Sequence, residues 1–182
     1  IVNDAMKQVS NHTGEHLHNL HEHQPDEDTL QKIIDNVPSS LSHEDDDGDI
    51  PIQKACWSKE SVHYVPLLAK EGVKHNVGGD DARGGLLSGC NVLPALAFAG
   101  GHIDADPIYL DVMKKLRESK LLLKEDIRDY DLLYYACKPA SSMRCEYFID
   151  WCPEGLKTYQ YDGLPLIHAK IAQSNVFPWS SR

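Results

Sequence analysis

Hydrophobic residues recur along this chain at helical spacing. Leu30, Ile33, Ile34 and Val37 fall at i, i+3, i+4 and i+7, and Tyr109, Val112, Met113 and Leu116 repeat the pattern. Each segment therefore carries one apolar stripe and predicts an amphipathic helix. Met143, Tyr147, Phe148 and Trp151 mark a third stripe, and Val62, Val65 and Leu68 a fourth. Asp106 followed by Pro107 reads as an N-cap with proline at the first helical position, while Pro38 and Pro153 stop their helices. Pro66 would cost about 3 kcal/mol inside a helix. The fourth helix is thus expected to be short or kinked unless Pro66 lies near its first turn. No apolar run approaches the roughly 18 residues of a membrane span, so membrane insertion is not expected.

Isolated helices of about 8 to 12 residues are marginal in water, so these must bury their stripes against neighbours. The repeats show how. Ile34-Asp35, Pro38, Leu41 and Asp47-Gly48 recur as Ile149-Asp150, Pro153, Leu156 and Asp162-Gly163. Each stretch leads into a similar start, Ile50-Pro51-Ile52 and Leu164-Pro165-Leu166. With Ala55, Ala97, Ala136 and Ala169 taken as one position of the unit, the spacings are 42, 39 and 33 residues. The last is a helical-repeat period.

On these residues the chain resembles the ankyrin-repeat family, whose unit is a glycine turn followed by Thr-Pro-Leu-His-x-Ala opening the first of two short helices. Asp45 to Cys56 is the best match and Asp162 to Ala169 the second. Asp131 to Cys137 and Val92 to Ala97 match less well. Gln53, Ala95, Tyr134 and Ile167 replace the motif histidine, and Asp129 replaces the turn glycine of the third copy. The resemblance is to a divergent member, similar to the irregular ones of unicellular algae. It implies an all-α, ankyrin-like solenoid of stacked helix-turn-helix repeats over residues 29–174. Residues 1–28 would form a His-rich arm or a degenerate first repeat, and residues 175–182 a C-terminal tail. The first helix of the last copy is expected over Leu164 to Ala172, with Phe177 and Trp179, a partner or a continuation past Arg182 covering its apolar end. Ile1 to Asp4 carry no basic region or apolar stretch of a secretory signal, and no initiator Met is present, so the chain reads as a fragment.

Eighteen Lys and Arg against 28 Asp and Glu give a formal charge of −10. No segment is basic, which makes nucleic acid and anionic membrane poor partners. Five cysteines without a CxxC pair argue against a disulfide framework and a zinc site, and favour a cytoplasmic or other reducing intracellular compartment. Cys56 and Cys137 both follow the repeat alanine, which assigns them a small buried apolar role. No cysteine has the arginine six positions later that a cysteine phosphatase uses.

His12, His16, His18, His21 and His23 lack the HExxH spacing of zinc ligands and read as a solvated polar segment, pH-sensitive near the ordinary histidine value of about 6.5. The glycines of Gly78 to Gly89 match no phosphate loop and predict a mobile extended turn. Glu44 to Asp49 lacks the alternating ligands of a calcium loop and predicts a charged turn. No cofactor and no enzymatic activity are therefore expected. The expectation is a protein-binding scaffold that recognises a basic protein surface. Family resemblance points to the turn tips and first helices, here Asp46, Asp47, Asp49, Trp57, Ser58, Arg83, Arg128, Tyr130 and Tyr161. The alternative is a structural subunit of a larger assembly.

Overall fold

A computed structural model describes residues 12–89, 92–99, 105–137, 142–158, 160–161 and 164–165. Over these residues the chain is all-helical apart from one two-residue ladder. The helices are α1 (residues 12–18), α2 (Leu20–His23), α3 (Glu27–Asn36), α4 (Pro51–Ala55), α5 (Val65–Lys74), α6 (Val92–Phe98), α7 (Asp106–Glu118), α8 (Lys124–Asp129), α9 (Leu132–Cys137), α10 (Ser142–Trp151) and α11 (Gly155–Thr158). Strands β1 (Gln160–Tyr161) and β2 (Leu164–Pro165) pair antiparallel, with Tyr161 opposite Leu164.

The helices pack in consecutive pairs. α4 lies against α5, α6 against α7, and α9 against α10. Between pairs, α6 meets α9, while α7 meets α5 on one side and α10 on the other. Ala55, Ala97 and Ala136 occupy the last or next-to-last position of α4, α6 and α9 and are all buried. A residue with no side chain beyond Cβ lets two helix backbones approach closely, which explains why the short helices share it. Ala169, Phe177 and Trp179 lie outside the described residues.

Local chemistry sets the helix ends. The Asp26 carboxylate caps α3 by accepting from the Thr29 N–H at 2.7 Å, the usual way of satisfying an orphan donor. Pro66 falls in the first turn of α5, where its missing N–H costs nothing, and α5 continues through Lys74. α7 starts at Asp106 with Ala105 as its cap residue, one position earlier than the sequence pattern indicates. Tyr109, Val112, Met113 and Leu116 are buried as that pattern requires.

Four expectations need correction. First, the histidine-rich start is solvated at His12, His16, His21 and His23, which are exposed, but from residue 12 onward it forms α1 and α2, and Leu17 and Leu20 anchor both in the core. Two well-placed leucines among polar residues suffice for that. Second, the glycine-rich stretch from Val77 to Gly89 is no extended turn. Ala82, Gly84, Gly85 and Leu86 are buried in it, and Asp80–Ala82 form a 3-10 turn. Gly84, at φ +67°, presses its backbone on Gly72 of α5, where a Cβ on either glycine would strike the other segment's backbone. Third, α10 buries only Phe148 of the stripe Met143, Tyr147, Phe148 and Trp151, with Tyr147 and Trp151 half-buried. Its buried face is Arg144, Cys145 and Phe148, and Met143 is 41% exposed. Fourth, Leu164 and Pro165 lie in a strand and not at the start of a helix.

Cysteine usage also differs from expectation. Cys137 is bonded to Cys145 in a disulfide across eight positions of the chain, whereas Cys56 and Cys152 are buried thiols outside any disulfide. The equivalence of Cys56 and Cys137 therefore holds for position and burial but not for bonding. No helix among the described residues is long and apolar enough to cross a membrane.

Candidate partner-binding surface

The turn before α4 is built on Asp45. Its Oδ1 accepts from the N–H groups of Asp47 at 3.0 Å and Asp49 at 2.9 Å, and the Asp45 N–H and Asp49 carbonyl close the turn at 3.0 Å. Gly48 takes φ +80°, a left-handed conformation that glycine adopts without steric cost. Lys54 reaches back from α4, its Nζ 2.8 Å from Asp45, 3.1 Å from Asp47 and 3.2 Å from Asp49. Hydrogen bonding to that ammonium, with the two backbone donors, holds the Asp45 carboxyl down to about 2. The three carboxylates raise the Lys54 ammonium above its ordinary value in turn. One ammonium answers five carboxylates between Glu44 and Asp49, so the turn keeps a negative field; Asp46 and Asp47 are exposed.

Gln53 makes two hydrogen bonds. Its Oε1 accepts from the Ile50 N–H at 2.6 Å and its Nε2 donates to the Ser88 carbonyl at 2.7 Å. The first bond satisfies an orphan donor at the helix start, and the second ties α4 to the connection that enters the next helix pair. Further links run along the same series of connections. Arg83 donates to buried Asp126, which also accepts from the Leu123 N–H at 2.6 Å. Lys124 pairs with Glu154 at 2.9 Å.

A buried polar hub ties the other ends of the pairs. Arg144 is fully buried; its Nε lies 2.6 Å from Asp106 Oδ1, and its Nη1 donates to the Leu96 carbonyl at 2.5 Å. Asp106 Oδ2 accepts from the Met143 N–H at 2.9 Å, and the guanidinium stands 5.0 Å from the Tyr109 ring centre. One arginine thus joins α6, α7 and α10. Sequence reasoning passed over it, because an arginine inside an apolar stripe reads as solvent-facing. Its signal was a lone acid opening α7.

The residues expected to bind a partner divide. Asp46, Asp47 and Asp49 stand together on the acidic turn. Trp57, 56% exposed, follows the C-terminal end of α4 with Ser58, so it is not beside the turn tip but at the far end of a helix about 7.5 Å long. Ser58 is engaged with Glu60. Arg83 is spent on Asp126 within the chain. Arg128 is exposed and pairs with its neighbour Asp129 at 2.8 Å, and Tyr130 is half-buried against the core. Tyr161 lies in β1, and its side chain is outside the description.

In the N-terminal region, His18 Nε2 lies 3.0 Å from the His43 carbonyl and 3.4 Å from His43 Nδ1. Burial lowers the His18 value, which keeps its imidazole neutral at neutral pH. Among the described residues no three His, Cys, Asp or Glu side chains are grouped so as to hold a metal ion. No family model, curated protein or solved structure matches this chain.

Proposed function

We propose that the chain is an ankyrin-like solenoid that binds a partner protein through the acidic turn before α4, the partner presenting a basic surface. The observation that carries this reading is the exposed pair Asp46 and Asp47, held on a turn that Asp45, Gly48 and Lys54 make rigid. A preorganised loop loses little freedom on binding, so its charge works toward recognition. The packing of α4 on α5, α6 on α7 and α9 on α10, with α7 also meeting α5 and α10, and the shared buried alanines support the repeat architecture behind it. The Gln53 bond to Ser88 supports it further, since it supplies the inter-unit link that the absent histidine would make.

Electrostatic complementarity acts mainly on the association rate and on partner choice. Capture from native extract with the wild-type chain and with a D46K/D47K variant, quantified by mass spectrometry, tests the reading. The expected result is a set of proteins with basic surfaces retained by the wild type, released as ionic strength rises, and lost from the variant. Retention unaffected by both salt and charge reversal would remove the acidic turn from the reading.

A further inference from the structure

We infer that Cys137 and Cys145 form a thiol–disulfide site that locks the start of α10 onto the end of α9, with a small disulfide of the glutathione class as the oxidant it responds to. Cys137 ends α9, Cys145 is the fourth residue of α10, and the two sulfurs are bonded. The site is selective among the described residues: Cys56 and Cys152 are also buried and are in no disulfide. Its position gives it a consequence. Cys145 adjoins Arg144, whose bonds to Asp106 and Leu96 hold α10 against α7 and α6, so closing the bond fixes the helix that carries the hub.

The chemistry balances as two exchanges. A thiolate of the reduced pair attacks oxidised glutathione, forming a mixed disulfide and expelling one glutathione thiolate. Cys137 is the better entry point, being 6% exposed against 0% for Cys145. The Cys145 thiolate then attacks the Cys137 sulfur and expels the second glutathione. The pair loses two electrons and two protons, and one oxidised glutathione becomes two reduced molecules. Both sulfurs are buried, so either direction requires the first turn of α10 to open, and the exchange rate follows that opening.

The test uses the whole chain with Cys90→Ser, which removes a cysteine outside the described residues. Protein reduced and then exposed to oxidised glutathione is followed by intact mass, non-reducing peptide mapping, thermal unfolding and hydrogen exchange. The expected result is loss of two hydrogens, a single Cys137–Cys145 linkage, and slower exchange over residues 142–151. The melting temperature should rise by about 5–10 °C from closure of so short a loop. Cys137→Ala and Cys145→Ala should each abolish the linkage and the rise. If a variant fails to fold, the comparison of oxidised with reduced parent chain still decides. Linkage to other cysteines, no linkage, or identical unfolding and exchange in the two states would overturn the inference.

Discussion

Gln53 stands where the resembled motif has histidine, and its amide shows what that position needs: one acceptor toward the helix start and one donor toward the next unit. A glutamine amide meets both needs at once, and no local sequence pattern signals the bond to Ser88, 35 positions away. Gln53→Leu keeps the bulk and removes both bonds, leaving the Ile50 N–H and the Ser88 carbonyl without it. It should cost about 1–3 kcal/mol in urea unfolding; an unchanged midpoint would mean that the two bonds contribute nothing. The Asp106–Arg144 pair calls for a different test, because removing one partner strands a buried charge. Asp106→Ala should cost about 3–5 kcal/mol, while D106L/R144M should cost much less. Asp45 sets a pH dependence. Its folded value, about 2, lies below the ordinary 3.8, so the unfolded chain takes up the proton first. The stabilisation is complete above about pH 5 and lost as pH falls through about 4 toward 2. The melting-temperature gap between wild type and Asp45→Asn should therefore narrow on acidification, and a gap constant with pH would contradict this.

Elements were legible where packing and periodicity agree. α7 packs against α5, α6 and α10 and carries one apolar stripe, so the pattern named four of its buried residues and left out Asp106 and Leu110. α10 misled because, of its apolar stripe, only Phe148 is fully buried, beside Arg144 and Cys145. Tyr147 and Trp151 instead clasp Arg117, whose guanidinium lies 4.0 Å from the Trp151 ring centre, a cation–π contact at the helix surface. The Val77 to Gly89 connection misled for another reason: glycine content signals freedom in an isolated peptide, but here it serves close backbone approach. Gly72→Ala places a methyl against the Gly84 backbone and should cost about 1–3 kcal/mol, as overpacking does. A neutral result in thermal unfolding would mean that the connection moves away from α5 without loss. Of the expected binding residues, the acidic turn was legible because consecutive Asp residues with a glycine have few alternatives to an exposed turn. The pairing of Arg83 with Asp126 spans 43 positions, and no local pattern signals it.

At the scale of the whole molecule, contacts run from each helix pair to the next, and two sets of polar links follow them. Gln53 to Ser88, Arg83 to Asp126 and Lys124 to Glu154 join successive connections, while Arg144 joins three helices at the opposite ends. Three of the aligned alanines, Ala55, Ala97 and Ala136, are buried at the ends of short helices, whereas the turn start at Leu164 and Pro165 is a strand; the connections between hold the buried glycine segment before α6 and the helix α8 before α9. Connections of such unequal length leave the alanine spacing without a fixed interval. The claim beneath the account is that Ala55, Ala97 and Ala136 fill the same kind of seat between neighbouring helices. Urea unfolding of the single variants A55L, A97L and A136L tests it most directly. The account predicts that all three lose a comparable amount, about 1–3 kcal/mol each; full tolerance of leucine at one position, with losses at the other two, would contradict it.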